Sequence, residues 1–160
     1  MRFTPPRVFA LGTAFGLAVA GLTAALAADF PAAKAALYFD AAAVKAAFAK
    51  QGGDNFYSVP GGPQSLVVRA GHRIGAGTTS ELHEETTDVL YIVSGTATLV
   101  TGGTMVDIKE TGPGEHRGSK VEGGTEQALK PGDLVIIPPK TPHWFKAIPT
   151  DLQYFTVLSK

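Results

Sequence analysis

From Asn55 to the C-terminus the chain is written in short apolar runs cut by glycine and proline, and this punctuation limits the fold more than any other feature. β-type runs fall at 56–59, 65–70, 78–83, 89–93, 97–101, 104–109, 134–137, 143–147 and 152–158. The stretch from Pro60 to Pro63, Gly75 to Gly77, and Pro131-Gly132-Asp133 supply turns between them. Gly102-Gly103 reads as a two-residue hairpin turn joining the runs on either side. No segment of 3.6-residue periodicity lies between the runs, so a parallel βαβ arrangement is excluded. The pattern predicts an all-β antiparallel sandwich or barrel.

One helix precedes it. Asp40 is an N-cap candidate, Val44, Ala47 and Phe48 share a helical face, and Lys50 with Gly52-Gly53 closes the segment. The Ala-rich stretch 32–37 is either helix or a lead-in, and the helix is expected to pack across a sheet. The expected organisation is an export signal over 1–27, an N-terminal helical segment over 28–53, and one β domain over 54–160.

The signal reading rests on Arg2 and Arg7, an apolar stretch from Val8 to about Ala20, and Ala25-Leu26-Ala27 as a small-x-small cleavage site. An uncleaved membrane anchor is the alternative, but the many Gly, Ala and Thr residues make the stretch weakly hydrophobic for that role. Cleavage implies a periplasmic or secreted protein without stable membrane association. The 160 residues carry 14 basic and 14 acidic side chains, which gives no electrostatic case for nucleic acid. There is no cysteine, so disulfides, thiolate metal sites and cysteine nucleophiles are excluded.

Chemistry concentrates between Glu81 and Gly95. Glu81 and His83 are two apart and point to one face of an extended strand. Asp88 follows, then the apolar run that ends at Gly95, and His143 stands late in the chain behind Pro138-Pro139. Two imidazoles with one or two carboxylates suit a divalent transition metal: Fe or Mn first, then Zn, with Ni and Cu also compatible.

These residues resemble the two motifs of the cupin superfamily. The first motif runs glycine, five residues, His-x-His, three or four residues, Glu, six residues, glycine. Gly75, Glu81, His83, Asp88 and Gly95 hold those positions, with Glu81 for the first His and Asp88 for the Glu. The second runs glycine, five residues, Pro-x-Gly, two residues, His, three residues, Asn. Gly132, Pro138, Lys140, His143 and Ala147 hold those positions, with Lys140 for the Gly and Ala147 for the Asn. The resemblance implies a cupin-type double-stranded β-helix (jelly-roll) barrel and a homodimer. It also implies a metal held by Glu81, His83, Asp88 and His143. Asp88, one methylene shorter than Glu, would reach the metal directly or through water, with Glu81 taking the carboxylate position in the latter case. Glu81 or Asp88, whichever is not on the metal, is the candidate general base.

Residues 110–130 form a glycine-rich insertion holding His116 and Arg117, which either cover a pocket mouth or belong to a solvated surface loop; a short strand pair turned at Gly123-Gly124 is expected there. By strand parity Phe145 and Ala147 share the cavity face with His143, while Trp144 and Tyr91 face the other way. Arg73 is either a contact for an anionic substrate or a surface or subunit contact. Three functional classes follow: a metal-dependent enzyme acting on a small organic molecule, a non-catalytic small-solute-binding protein, and a structural protein with a vestigial site.

Overall fold

The computed structural model describes residues 36–59, 64–75 and 77–160. The expected export signal and the Pro60 to Pro63 turn lie outside these residues, as does most of the 28–53 lead-in before the helix. No helix among the described residues is long and apolar enough to cross a membrane.

Helix α1 (Ala41–Ala49) is followed by β1 (Asp54–Val59), β2 (Leu66–Arg73), β3 (Ser80–His83), β4 (Thr87–Ser94), β5 (Ala97–Thr101) and β6 (Thr104–Val106). Then come β7 (Lys109–Gly112), β8 (Glu115–Gly118), β9 (Lys120–Glu122), β10 (Thr125–Leu129), β11 (Leu134–Ile137), β12 (His143–Ala147) and β13 (Leu152–Ser159). One sheet runs β1-β2-β13-β4-β11, a second β10-β5-β12-β3-β8-β7, and a two-stranded ribbon pairs β6 with β9.

Eight of these strands, β2 to β5 and β10 to β13, explain the architecture. β5 pairs with β10, β4 with β11, β3 with β12 and β2 with β13, all antiparallel. The chain is therefore one long ribbon folded back on itself, and successive pairs lie in alternate sheets. That winding is the double-stranded β-helix. The fold is the expected cupin-type jelly roll. Hydrogen bonding does not close the two sheets into a continuous barrel; they remain separate facing layers.

The glycine pairs do not act as hairpin turns. β5 has β10 on one edge and β12 on the other, which leaves no edge for β6. Thr101 faces Thr125 and Thr104 faces Glu122, so Gly102-Gly103 and Gly123-Gly124 sit opposite each other at a bend in one ribbon. The bend needs glycine at Gly103: its φ is +74°, and a Cβ there would lie 2.3 Å from the Glu122 carbonyl oxygen. The insertion that follows is ordered into β7, β8 and β9 rather than a loop.

Three apolar clusters hold these layers. Leu90, Ile92, Leu99, Leu129, Ile137 and Leu152 fill one end of the space between the two large sheets. Ala47 and Phe48 of α1 pack on Ala70, Phe56 and Phe155, which covers the outer face of the first sheet. Asp40 Oδ1 accepts from the Ala43 amide at 2.8 Å and caps α1 as expected. On the outer face of the second sheet, Val100, Met105 and Val121 pack with Leu82 and Trp144 under the β6–β9 ribbon. Trp144 thus faces away from the interior, and its indole N–H donates to the Thr78 carbonyl at 2.7 Å.

Candidate metal centre

The interior changes character along each strand. On β4 the inward side chains run Asp88, Leu90, Ile92, and on β13 they run Leu158, Thr156, Tyr154, Leu152. Apolar packing fills the Ile92 and Leu152 end. The other end is a cavity of about 270 Å³ whose lining includes Glu81, His83, Asp88 and His143.

Strand pleat and register assemble this group. Glu81 and His83 alternate inward on β3, and His143 of β12 lies opposite Glu81 in the pairing of the two strands. Asp88 comes from the facing sheet, on β4 between β13 and β11. The turn before His143 is tied to β3, because the Lys140 amide donates to the His83 carbonyl at 2.7 Å. Lys140 holds φ +62°, the left-handed conformation for which glycine is the usual residue. At the other motif Gly95 is required sterically: a Cβ there would lie 1.9 Å from the Asp151 carbonyl oxygen.

The ligand atoms converge. Glu81, His83 and His143 each offer one atom such that all three lie within 4.8 Å of one another. Glu81 Oε2 is 3.8 Å from His83 Nε2 and 3.8 Å from His143 Nε2. Asp88 Oδ2 is 3.5 Å from each of the same two nitrogens. Ligands about 2.0–2.2 Å from one tetrahedral metal stand about 3.3–3.6 Å apart. The Asp88 pairs fall in that range, and the Glu81 pairs need to close by only a few tenths of an ångström. Asp88 is as near to the imidazoles as Glu81, despite its shorter arm.

Hydrogen bonds assign the imidazole tautomers. His83 Nδ1 lies 2.5 Å from Glu115 Oε2, and His143 Nδ1 lies 3.1 Å from the Thr141 carbonyl oxygen. A carboxylate and a carbonyl only accept, so each Nδ1 carries a proton, and in the neutral ring each Nε2 presents a lone pair to the centre. With both rings neutral, two lone pairs and two carboxylates then border the same small space with no donor among them. Asp88 is buried, and its Oδ1 has no hydrogen-bond partner among the described residues. Buried acceptors in this arrangement require a cation or protons. The N₂O₂ donor set fits a divalent first-row metal.

The electrostatics agree. Burial opposes ionisation of Glu81, but the approach of His143 and the charges of Arg117 and Arg73 outweigh it and hold its carboxyl at about 2. For His83, burial opposes the charged ring, yet Asp88 and Glu115 raise its pKa. With no cation bound, the centre draws a proton instead.

The insertion supplies Glu115, which the sequence reading did not single out, and decides between the two readings of His116 and Arg117. β8 pairs with β3 in a register that sets Glu115 opposite His83 and Arg117 opposite Glu81. Arg117 Nε lies 3.7 Å from Glu81 Oε1, and its Nη1 3.9 Å from Glu115 Oε2. Arg117 therefore lines the pocket, whereas His116 alternates outward and meets Glu84 Oε1 at 2.9 Å. Glu115 carries no local signal, since its role depends on a strand pairing across 32 residues of chain. Phe145 lines the cavity as parity predicts, but Ala147 does not. A register shift between Phe145 and Ala147 breaks the alternation, leaving Ala147 exposed and Ile148 buried. Arg73 reaches the cavity, with its Nε 3.3 Å from the Tyr154 hydroxyl. Tyr91 is 48% exposed on the outer face.

No family model matches the chain. No curated protein sequence matches it either. Several solved structures are similar in part. Hydroquinone 1,2-dioxygenase from Sphingomonas sp. TTNP3 is 12% identical with a TM-score of 0.45, over 59% of this chain and 59% of that one. KdgF from Halomonas sp. is 22% identical with a TM-score of 0.41, over 64% of this chain and 74% of that one. The oxalate decarboxylase of Lactobacillus farciminis is 15% identical with a TM-score of 0.40, over 61% of this chain and 23% of that one. Among other matches, the chain spans 50% of a Thevetia peruviana latex cysteine peptidase and 21% of a Wrightia tinctoria 11S globulin.

Proposed function

We propose that this chain is an exported, metal-binding cupin domain protein that binds or acts on a small organic molecule in the cavity beside the metal. Glu81, His83, His143 and Asp88 hold the metal. The observation that carries the reading is the pair of imidazole Nε2 atoms, each ring held by an acceptor on Nδ1, facing two carboxylates at 3.5–3.8 Å. Fe, Mn and Zn are the ions this donor set suits best. A bound metal would supply Lewis-acid polarisation of a carbonyl or hydroxyl, or oxygen chemistry if it is redox-active.

The chain's own groups divide the remaining work. Glu115 orients His83, and Arg117 keeps Glu81 ionised and in place. Glu81, ionised down to about pH 2, is better suited to ligation than to proton abstraction. Phe145 and Leu90 give the pocket an apolar wall for the carbon frame of a ligand.

Two observations speak against a vestigial site. Glu81 and His143 stand 3.8 Å apart, beyond hydrogen-bond distance, and the space beside them is open rather than filled. Export to the periplasm or medium rests on the sequence of residues 1–27. A homodimer is supported by Tyr91, Val93, Leu134 and Ile136, exposed apolar side chains on the adjacent strands β4 and β11.

Calorimetric titration of Mn²⁺ or Zn²⁺ into chelator-treated protein tests the centre. The wild type should bind one ion, and the His83→Ala/His143→Ala double variant none; stoichiometric binding by the double variant would overturn the assignment.

A further inference from the structure

Three arginines line the same cavity, and among the described residues only one of them is paired with an acid. Arg117 is engaged with Glu81 and Glu115. Arg69 and Arg73 stand four apart on β2, on one face of the strand, and both reach the cavity. Neither makes a salt bridge among the described residues. Arg69 Nη2 donates to the Gly52 carbonyl at 2.8 Å, while its Nε is buried with no partner among the described residues. Arg73 has the neutral Tyr154 hydroxyl as its partner. The Thr156 hydroxyl, on the same wall, is buried and also without a partner.

The charge count gives these arginines a purpose. The cavity lining holds three guanidinium groups (Arg69, Arg73, Arg117) and three carboxylates (Glu81, Asp88, Glu115). With both imidazoles neutral the lining is balanced. A divalent metal adds two positive charges, and in a half-buried cavity that excess favours a bound anion. The excess is two, and the unpaired cations lie on the sheet that faces the β3–β12 ligands.

We propose that the ligand of this pocket is a short dicarboxylate. One carboxylate lies at the metal centre and the other is held by Arg69 and Arg73, with Thr156 as a further donor. A guanidinium fork matches a carboxylate in geometry as well as charge. At about 270 Å³ the cavity falls just below the range of about 300–1,000 Å³ typical for drug-sized ligands, which suits a few carbons between the two groups. This inference deepens the metal-binding reading and rests on it for the charge excess.

Calorimetry with succinate, and with succinamide as its uncharged counterpart, tests the inference on metal-free and Zn²⁺-loaded protein. The loaded wild type should bind succinate at least about tenfold more tightly than succinamide, and more tightly than the metal-free protein does. Arg69→Met and Arg73→Met should each lose about tenfold or more, with Zn²⁺ stoichiometry unchanged, and Arg73→Lys should recover part of the loss. Equal binding of succinate and succinamide, or tighter binding of inorganic phosphate than of succinate, would overturn the dicarboxylate. So would no binding of either probe by protein that holds Zn²⁺, and in that case the metal-binding reading stands. Should the protein take up no Zn²⁺, that reading fails by itself. Arginine-dependent succinate binding by the metal-free protein would then still support the dicarboxylate, and its absence would remove both.

Discussion

Glu115 Oε2 lies 2.5 Å from His83 Nδ1, across a strand pairing that joins the insertion to the first ligand strand. This contact fixes the Nδ1 proton and ring orientation of one proposed ligand from a residue that is not itself a proposed ligand. Partners of this kind typically contribute about 10–100-fold to metal affinity. Glu115→Ala should therefore weaken metal binding by about that factor and leave the stoichiometry at one ion. Competition against a chromophoric chelator measures the change; wild-type affinity in the variant would mean that Glu115 does not orient His83.

The pH dependence of metal binding has a defined sign. A metal at His83 must displace any proton on Nε2, and Asp88 and Glu115 raise the pKa of this ring against the opposing effect of burial. Metal affinity should keep rising with pH above the ordinary histidine range of about 6.5 and fall by about tenfold per unit below it for each proton displaced.

The apo protein should respond in the opposite sense over that window. A raised folded pKa contributes stability that is complete below the unfolded value and lost as pH rises through the folded one. His83 thus makes the metal-free protein less stable on going from mildly acidic to alkaline pH. Glu81, depressed to about 2, contributes stability present above its ordinary range and lost as the pH falls towards 2. Urea denaturation at a series of pH values, with and without metal, separates the two contributions.

Lys140 is exposed and sits at φ +62°. A non-glycine residue in this conformation costs about 1–2 kcal/mol, while glycine costs about 0.5–1 kcal/mol in lost chain entropy. Lys140→Gly should stabilise the domain by about 0.5–1 kcal/mol in chemical denaturation without changing metal stoichiometry. A destabilised variant would show that the lysine side chain compensates for the strain.

Phe48 anchors α1 on the outer face of the first sheet, with its ring 4.9 Å from that of Phe155 in an edge-to-face contact. It is only 5% exposed. Phe48→Ala should cost about 3 kcal/mol. The site lies on the inner side of the sheets, so the folded variant should still bind one metal ion. Loss of the metal by folded Phe48→Ala would tie α1 to the site.

Much of the architecture was legible because it is local. Asp40 signals its cap through its position before an apolar helical face, and the runs at 97–101, 134–137 and 143–147 coincide with β5, β11 and β12. The spacing of Glu81, His83, Asp88 and His143 pointed to two carboxylates that the fold brings within 3.5–3.8 Å of both imidazoles. What was hidden depends on pairing between distant segments. Gly102-Gly103 has hairpin composition but bends a ribbon, because both edges of β5 are already occupied. Ala147 leaves the cavity through a bulge that no residue type announces. Glu115 became a pocket residue only once β8 was seen to add to β3, and the same pairing decides that Arg117 lines the pocket while His116 does not. Arg69 has no motif at all, and only its unpaired place on the cavity wall draws attention to it.

The central claim is a metal in the Glu81, His83, Asp88, His143 centre. Elemental analysis by inductively coupled plasma mass spectrometry tests it most directly, on the protein purified from its native compartment without an affinity tag or chelator. The account predicts about one first-row divalent metal per chain. A chain with no metal as purified, and none taken up on reconstitution with Fe²⁺, Mn²⁺ or Zn²⁺, would contradict it.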